Sequence, residues 1–483
     1  MNALFELPDV VDRVRTYKRY AKTPDLSTLK DQQKTGFDLM VDFVSKDGGG
    51  LFLVEGYAGT GKTYLISKFT EWYLTARRGS NIAVTAPTNK AVKVLQNEAD
   101  YIHTNLAYLT VHRLLGLKPM ISKSGEQIFI QDKMFAPAIE NYKLLVVDEV
   151  SMLDDNLFDL MYEYVHTAGL KIIFVGDPAQ IPPINRLDCI PFNPMEQERL
   201  SIRKTTLTDV IRQEADNPII KVSMLVRKRI EHNTVLTDKE RTDEYLENKG
   251  VFFLSQSNED DGEMFYDLLN SLFVSKNFKA DADFAKVIAW RNKTVDWVNG
   301  TIRAMIYGDY CGKIEVGEKL IADEPIVDDG VILFTTNDEM EVTGYNERSE
   351  KINGTDIEIH YYATKVEYLT HDNRSEKAFI RIVHERSEAA YNKVLRDLAE
   401  MAKDAPFGSK KSRDYWKAFY EFKESFARVK YNYAITAHKA QGSTYHNTIV
   451  LERDMDANRK IKERNRIKYT AMTRPKYNLV IIK

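Results

Sequence analysis

Leu51-Phe-Leu-Val-Glu-Gly56-Tyr-Ala-Gly-Thr-Gly-Lys-Thr63 decides the fold of this chain. An apolar run of strand length leads without a break into G-x-x-x-x-G-K-T, and a helical pattern follows. Strand, glycine-rich turn and helix form the context in which this motif makes a phosphate cradle. Gly56, Gly59 and Gly61 let the backbone N–H groups of the turn, Thr60 included, close around phosphate oxygens. The helix N-terminus that follows adds a favourable field. Lys62 is expected to reach the β- and γ-phosphates of a nucleoside triphosphate, and the Thr63 hydroxyl to ligate Mg2+.

A cradle of this kind needs carboxylates for the metal and the attacking water, and Leu144-Leu-Val-Val-Asp148-Glu149 supplies them at a strand end. Asp148 is expected to hold Mg2+ through water and Glu149 to polarise the attacking water. Further out, Ile82–Ala86 and Lys171–Val175 are short apolar runs with helical patterns between them, the pattern of a parallel sheet covered on both faces. Lys286–Trp290, Thr448–Leu451 and Asn478–Ile482 form a second such set, interrupted by sequence of another character.

The reading is therefore an α/β chain with two parallel-sheet motor domains. Residues 1–205 make the first, with a β-hairpin insertion at about 118–137. Residues 206–310 and 430–483 make a discontinuous second. Residues 311–429 make an inserted small, barrel-like β domain. Within it Val331–Phe334, Glu339–Thr343 and Ala378–Val383 alternate as strands, and the aromatic-rich stretch 386–429 is helical with its rings turned to a core.

Composition narrows the class. With 43% hydrophobic and 29% charged residues the chain is globular, and no apolar run approaches a membrane span, so a cytoplasmic location without membrane contact is expected. Cys189 and Cys311 lack the spacing of a zinc site and read as ordinary thiols. A formal charge of −3 gives no bulk attraction to nucleic acid, so binding must be local. The basic groups Arg227-Lys228-Arg229 and Arg453 to Lys476 are each expected, taken alone, to be solvated helix faces.

These segments, in this order, resemble the superfamily 1 DNA helicases, in particular the RecD-like group of the Dda type, over most of the chain. The resemblance implies two RecA-like domains and a motor driven by ATP and Mg2+. Leu29-Lys-Asp-Gln32-Gln33 looks like the adenine-reading segment, with Gln33 the reader and Gln32 the alternative. Ala86-Pro87-Thr88-Asn89-Lys-Ala91 and Thr110-Val-His112-Arg113 match single-strand-contacting motifs. In Gly176-Asp-Pro-Ala-Gln180, Gln180 resembles the γ-phosphate sensor, and Leu207 to Gln213 carries Arg212 as an arginine finger. Trp290-Arg-Asn292-Lys293, Ala437-His438-Lys439-Ala-Gln-Gly442 and Tyr469-Thr-Ala-Met-Thr-Arg474 are similar to the motifs of the second domain, Arg474 being a second finger. The chain departs from the family pattern at Asn89, at Trp290 and at Pro475-Lys476 after Arg474. Trp290 reads either as a base-stacking surface or as the end of a buried strand.

The function expected is an ATP-dependent helicase that translocates 5′ to 3′ on single-stranded DNA and unwinds forked duplex, in company with replication or single-strand-binding proteins. Phe129, on the second arm of the hairpin, is expected to be either a strand-separating wedge or hairpin packing. The competing readings are a helicase of opposite polarity or RNA preference, and an ATP-switched loader or remodelling factor that does not unwind.

Overall fold

A computed structural model describes residues 18–77, 79–121, 127–131, 136–183, 186–211, 216–255, 259–328, 331–352, 356–370 and 374–483. Arg212 lies outside the described residues. The chain divides into two compact units, one of Met1–Leu117, Gln131–Val295 and Ile435–Lys483, the other of Lys118–Ile130 and Asp296–Ala434.

The first unit is built on two sheets. One is wholly parallel, in the order Arg203–Leu207, Gly50–Gly56, Lys171–Gly176, Leu144–Val147, Ile82–Ala86, Leu106–Thr110. Ile82–Ala86 and Leu144–Val147 are buried at every position, which is why they read as unbroken apolar runs. The helices between the strands start on side-chain caps: Thr88 accepts from the Ala91 amide at 3.2 Å and Asp154 from the Leu157 amide at 2.9 Å. Strand Arg203–Leu207 takes the sheet past residue 205, where the first domain was expected to end.

The second sheet runs Glu244–Leu246, Lys249–Leu254, Pro475–Ile482, Tyr445–Leu451, Ala285–Ala289, Ala434–Thr436. Its central pairs are parallel, and the Glu244–Leu246 edge is joined by an antiparallel hairpin. The architecture is that of two RecA-like domains with inserted elements.

The basic stretches depart from the solvated faces expected of them. Lys468 is 3% exposed and bonds Glu452 at 2.7 Å; Arg241 closes on the same carboxylate at 3.0 Å. Arg466 and Arg474 are also buried. Arg227 lies with its guanidinium 3.9 Å over the Tyr57 ring. Charge density along the sequence misled because the carboxylates and rings that receive these cations lie elsewhere in the chain.

The second unit holds an antiparallel sheet ordered Ser375–Val383, Glu358–Leu369, Glu339–Lys351, Lys319–Ala322, Val429–Tyr431. Leu320, Val342, Val366, Ile380 and Phe334 fill its core. Helices Glu388–Asp404 and Lys410–Glu424 follow, and Tyr391 meets Phe422 and Phe426 with ring centroids 5.3 and 5.6 Å apart. Arg303 forks onto the buried Glu318 at 2.8 and 2.9 Å, and Tyr433 donates to the same carboxylate at 2.7 Å. Asn299 ties the two ends of the insertion together: its Oδ1 accepts from the Tyr433 and Ala434 amides at 3.1 and 2.8 Å. Leu117–Ile121 pairs with Gln127–Gln131 as a separate two-stranded ladder; its turn, 122–126, lies outside the described residues.

Candidate nucleotide and single-strand sites

Parallel strands put their carboxyl ends on one edge of a sheet, and an open α/β sheet binds ligands at that edge. In the first sheet the strand order sorts the expected residues into two groups. Gly56, Gly176 and Val147 end on adjacent strands, so the 56–63 turn, Asp177–Gln180 and Asp148-Glu149 are brought together. Ala86 and Thr110 end on the next two, placing Pro87–Asn89 beside Thr110–His112.

The cradle has the geometry its glycines allow. Gly59 and Gly61 sit at φ +77° and +74°, and a Cβ on Gly61 would lie 2.4 Å from Gln33 Nε2. Thr60 is buried and donates to the Tyr57 carbonyl at 2.8 Å. Lys62 Nζ donates to the carbonyls of Gly56 and Tyr57 at 2.7 and 3.0 Å, which folds the ammonium over the turn. Thr63 is the second residue of the helix Lys62–Ala76.

Asp148 accepts from the Glu149 amide at 2.8 Å, and Glu149 is held at φ 52°. Burial, with the Glu149 carboxylate adding repulsion and Lys62 opposing it, pushes the Asp148 carboxyl up to about 7. Two adjacent carboxylates in that state favour a divalent cation, so these residues fit Mg2+. Gln180 is buried, and its Oε1 has no hydrogen-bond partner among the described residues, as suits a side chain that senses a phosphate or water. The described residues contain no group of three or more His, Cys, Asp or Glu placed to hold a metal by themselves.

The two glutamines are used differently. Gln33 is buried, its Nε2 donating to the Gly61 carbonyl at 3.2 Å and its Oε1 accepting from the Lys30 amide at 3.1 Å. Gln32 spans to Thr208, accepting from its amide at 2.8 Å and donating to its hydroxyl at 2.9 Å. Gln33 thus braces the cradle itself, while Gln32 braces the segment leading to Arg212.

Arg474 is not brought to Lys62. Its Nε donates to the Thr470 carbonyl at 2.8 Å, Nη1 to the Ser443 carbonyl at 3.3 Å and Nη2 to the Thr473 hydroxyl at 2.9 Å. The guanidinium is anchored in its own lobe. Among the described residues, Arg227 is an arginine found against the cradle, on Tyr57.

On the single-strand side, Thr88 and Thr110 are both helix N-caps, Thr110 accepting from the Arg113 amide at 3.3 Å. Burial lowers the His112 and His438 imidazoles below the usual range, opposed by Asp154 and Glu463 respectively, so both are neutral near pH 7. Asn89 opens the helix Asn89–Glu98. In the second sheet Ala285–Ala289 and Ala434–Thr436 are neighbours. Trp290, Asn292 and Lys293 follow the first of these strands, and His438 and Lys439 follow the second. Asp454 fixes this corner, accepting from the Trp290 and Arg291 amides at 2.7 and 2.9 Å and from the Thr294 hydroxyl at 2.5 Å. Trp290 itself is partly buried against the second core. Phe129 is 43% exposed on its hairpin arm.

The lobes of the first unit meet through residues for which sequence reasoning gave no role. Tyr469 donates to Asp177 Oδ2 at 2.6 Å and accepts from the Ala58 amide at 3.0 Å. The Ile181 amide donates to the Thr470 hydroxyl at 3.2 Å, and Gln441 donates to the Ile181 carbonyl at 2.8 Å. Gly442 leaves room for Ala91, whose Cβ would lie 2.9 Å from a Cβ there. All but Ile181, which follows Gln180, stand inside a quoted motif, but nothing in the sequence says that they touch.

Three family models match along the chain: an AAA domain over residues 28–244, the Dda helicase SH3 domain over 315–431 and a UvrD-like helicase C-terminal domain over 431–482. The ATP-dependent DNA helicase dda of Enterobacteria phage T4 is 28% identical, across 86% of this chain and 90% of its own length. The chain belongs to the RecD/Dda-like superfamily 1 DNA helicases. The helicase is also 24% identical to uncharacterised protein R530 of Acanthamoeba polyphaga mimivirus, across 92% of this chain and 97% of that protein. RecD2 DNA helicase of Deinococcus radiodurans is 34% identical over 36% of this chain and 21% of its own. The crystal structure of a Pif1 helicase from Candida albicans is 13% identical, covers 94% of both chains and has a TM-score of 0.46. As a member of this family the helicase is an ATP-hydrolysing enzyme. Among the described residues no helix is long and apolar enough to cross a membrane.

Proposed function

We propose that this DNA helicase walks 5′ to 3′ along single-stranded DNA and opens forked duplex as it goes. The observation that carries the reading is the division of one sheet edge. ATP-handling residues end the strands on one side and strand-contacting residues end those on the other, so a shift at the phosphates is felt next door. The 5′-to-3′ sense follows the RecD/Dda branch.

Thr63 and Asp148 would hold Mg2+, which would supply charge neutralisation at the triphosphate. Lys62 leaves the Gly56 and Tyr57 carbonyls for phosphate oxygens. Glu149 orients the attacking water, Gln180 senses the γ-phosphate and Arg212 meets its developing charge. Arg474 joins by exchanging the Ser443 carbonyl for phosphate oxygens while its Nε stays on the Thr470 carbonyl, a move that brings the lobes together. Gln33 or Gln32 reads the adenine.

Pro87, Thr88, Asn89, Thr110 and His112 grip the strand in the first lobe, and Trp290, Asn292, Lys293, His438 and Lys439 in the second. Neutral histidines, hydroxyls and amides hold backbone without reading sequence. Replication or single-strand-binding proteins are the protein partners. Strand displacement on forks carrying only a 5′ or only a 3′ tail tests the reading: unwinding is expected only with the 5′ tail. Unwinding from the 3′ tail alone would reverse the polarity, and ATPase without displacement on either fork would leave a loader.

A further inference from the structure

The helix Ile461–Met472 docks one face on the first lobe. Arg466 bonds the Leu187 carbonyl and Asp188 at 2.5 and 2.6 Å, Tyr469 bonds Ala58 and Asp177, and Thr470 accepts from Ile181. Residues three and four apart share a helix face, so the three contacts move as one. Two of them reach segments that respond to the γ-phosphate. Ala58 lies in the turn between Gly56 and Gly59, and Asp177 and Ile181 flank Gln180.

The other side of the same two residues leads to Arg474, because the Thr470 carbonyl accepts from the arginine's Nε at 2.8 Å. Tyr469 and Asp177 are each 1% exposed, so water does not compete for this hydroxyl. Burial and the Asp177 carboxylate hold the phenol far above its ordinary pKa, so it keeps its proton and both bonds across the working pH range.

Resting on the ATPase reading above, we infer that Tyr469 is a positioning residue for hydrolysis. Its hydroxyl gathers the cradle at Ala58 and the sensor loop at Asp177 onto the helix end that sets Arg474. A shift of the cradle on phosphate binding or release is thereby passed to the second lobe and to the arginine together. The hydroxyl's two bonds go to the Ala58 amide and the Asp177 carboxylate, so the linkage is expected to act on the transition state more than on nucleotide affinity.

Tyr469→Phe removes the hydroxyl and keeps the ring. At saturating single-stranded DNA, kcat for ATP hydrolysis is expected to fall about tenfold while KM for ATP stays within about threefold, the split that marks a transition-state effect. More ATP is consumed per base pair opened. Asp177→Asn, which keeps an acceptor for the Ala179 amide, is expected to lower kcat less and with the same split. The double variant is expected to match Tyr469→Phe alone, because both changes cut one linkage.

Three results would overturn the inference: kcat for Tyr469→Phe within twofold of wild type, multiplicative losses in the double variant, or a kcat loss in Asp177→Asn that only follows its melting temperature. The last reading decides the matter even if Tyr469→Phe folds poorly. Lys62→Ala, assayed alongside, separates the two levels. If it still hydrolyses ATP, the parent reading has failed; if it is inactive while Tyr469→Phe is normal, only the inference has.

Discussion

Lys62, Arg474 and Glu452 show how differently a buried or half-buried charge is used in one chain. Lys62→Ala is expected to abolish DNA-stimulated ATP hydrolysis and leave single-strand affinity within a few-fold, because the ammonium serves the cradle and the strand residues follow other strands of the sheet. ATPase rates and fluorescence anisotropy on the same preparation check it. Arg474→Ala is expected to do two things: lower kcat far more than it raises KM, and cost about 2 kcal/mol of stability by taking the donor from the buried Ser443 carbonyl and leaving the Thr470 carbonyl to the Thr473 hydroxyl alone. Arg212→Ala is likewise expected to lower kcat far more than it raises KM, and steady-state kinetics on both variants check this. Glu452 pairs with Lys468 and Arg241 in the interior. Burial acts to raise its carboxyl, but Lys468 and Arg241 outweigh burial and hold it below the usual range. A depressed carboxyl stabilises the fold above its unfolded pKa, and the contribution is lost as pH falls through the lower folded value. Glu452→Gln takes the shared carboxylate from two buried cations, which keep only Asp456 and Asp238, and is expected to cost about 3 kcal/mol at neutral pH. Urea unfolding should show the difference from wild type narrowing on acidification below the ordinary glutamate range.

Among the elements, the hairpin of Leu117–Ile121 and Gln127–Gln131 carries the most direct test of strand separation. If the exposed Phe129 is the wedge, it offers the last base pair an apolar face and offsets part of an unstacking cost of a few kcal/mol per step. Phe129→Ala is then expected to leave ATPase and translocation near normal while unwinding falls sharply. Parallel loss of all three together with thermal stability would assign the ring to packing. The elements also show what could be read beforehand. Central strands such as Ile82–Ala86 were legible because burial on both faces removes every polar interruption. Arg203-Lys-Thr-Thr-Leu207 was not, since it lies at the sheet edge and alternates buried with exposed residues. The phosphate turn and the carboxylate pair were legible because each adjoins its strand. The Tyr469, Asp177 and Ala58 junction was not, because its members are far apart in sequence and share no spacing rule. Arg227 was misjudged for the same reason, its aromatic partner Tyr57 lying on another element.

At the scale of the whole molecule, a chain with a formal charge of −3 would, on the proposed grip, hold an anionic strand through few cations, Lys293 and Lys439 among them. Single-strand affinity is therefore expected to fall only roughly tenfold between about 50 and 200 mM salt, and to vary little among mixed sequences of equal length. Titrations at several salt concentrations check both, and a strong preference for one sequence at fixed salt would contradict backbone gripping. The inserted segment departs after one helix and returns beside it, with Asn299 bonded to the returning chain at Tyr433 and Ala434. Bringing its ends together thus demands little of the second sheet. That sheet nonetheless carries a kinetic burden. Pro475–Ile482, the last strand in sequence, lies in its interior, between Lys249–Leu254 and Tyr445–Leu451. During synthesis the first sheet has all its strands once Leu207 is made, whereas the second presents unpaired strand edges until the final segment arrives. The nascent protein therefore passes through a stage with one finished lobe and one incomplete lobe, and this is when it is most exposed to misassembly and most in need of a chaperone.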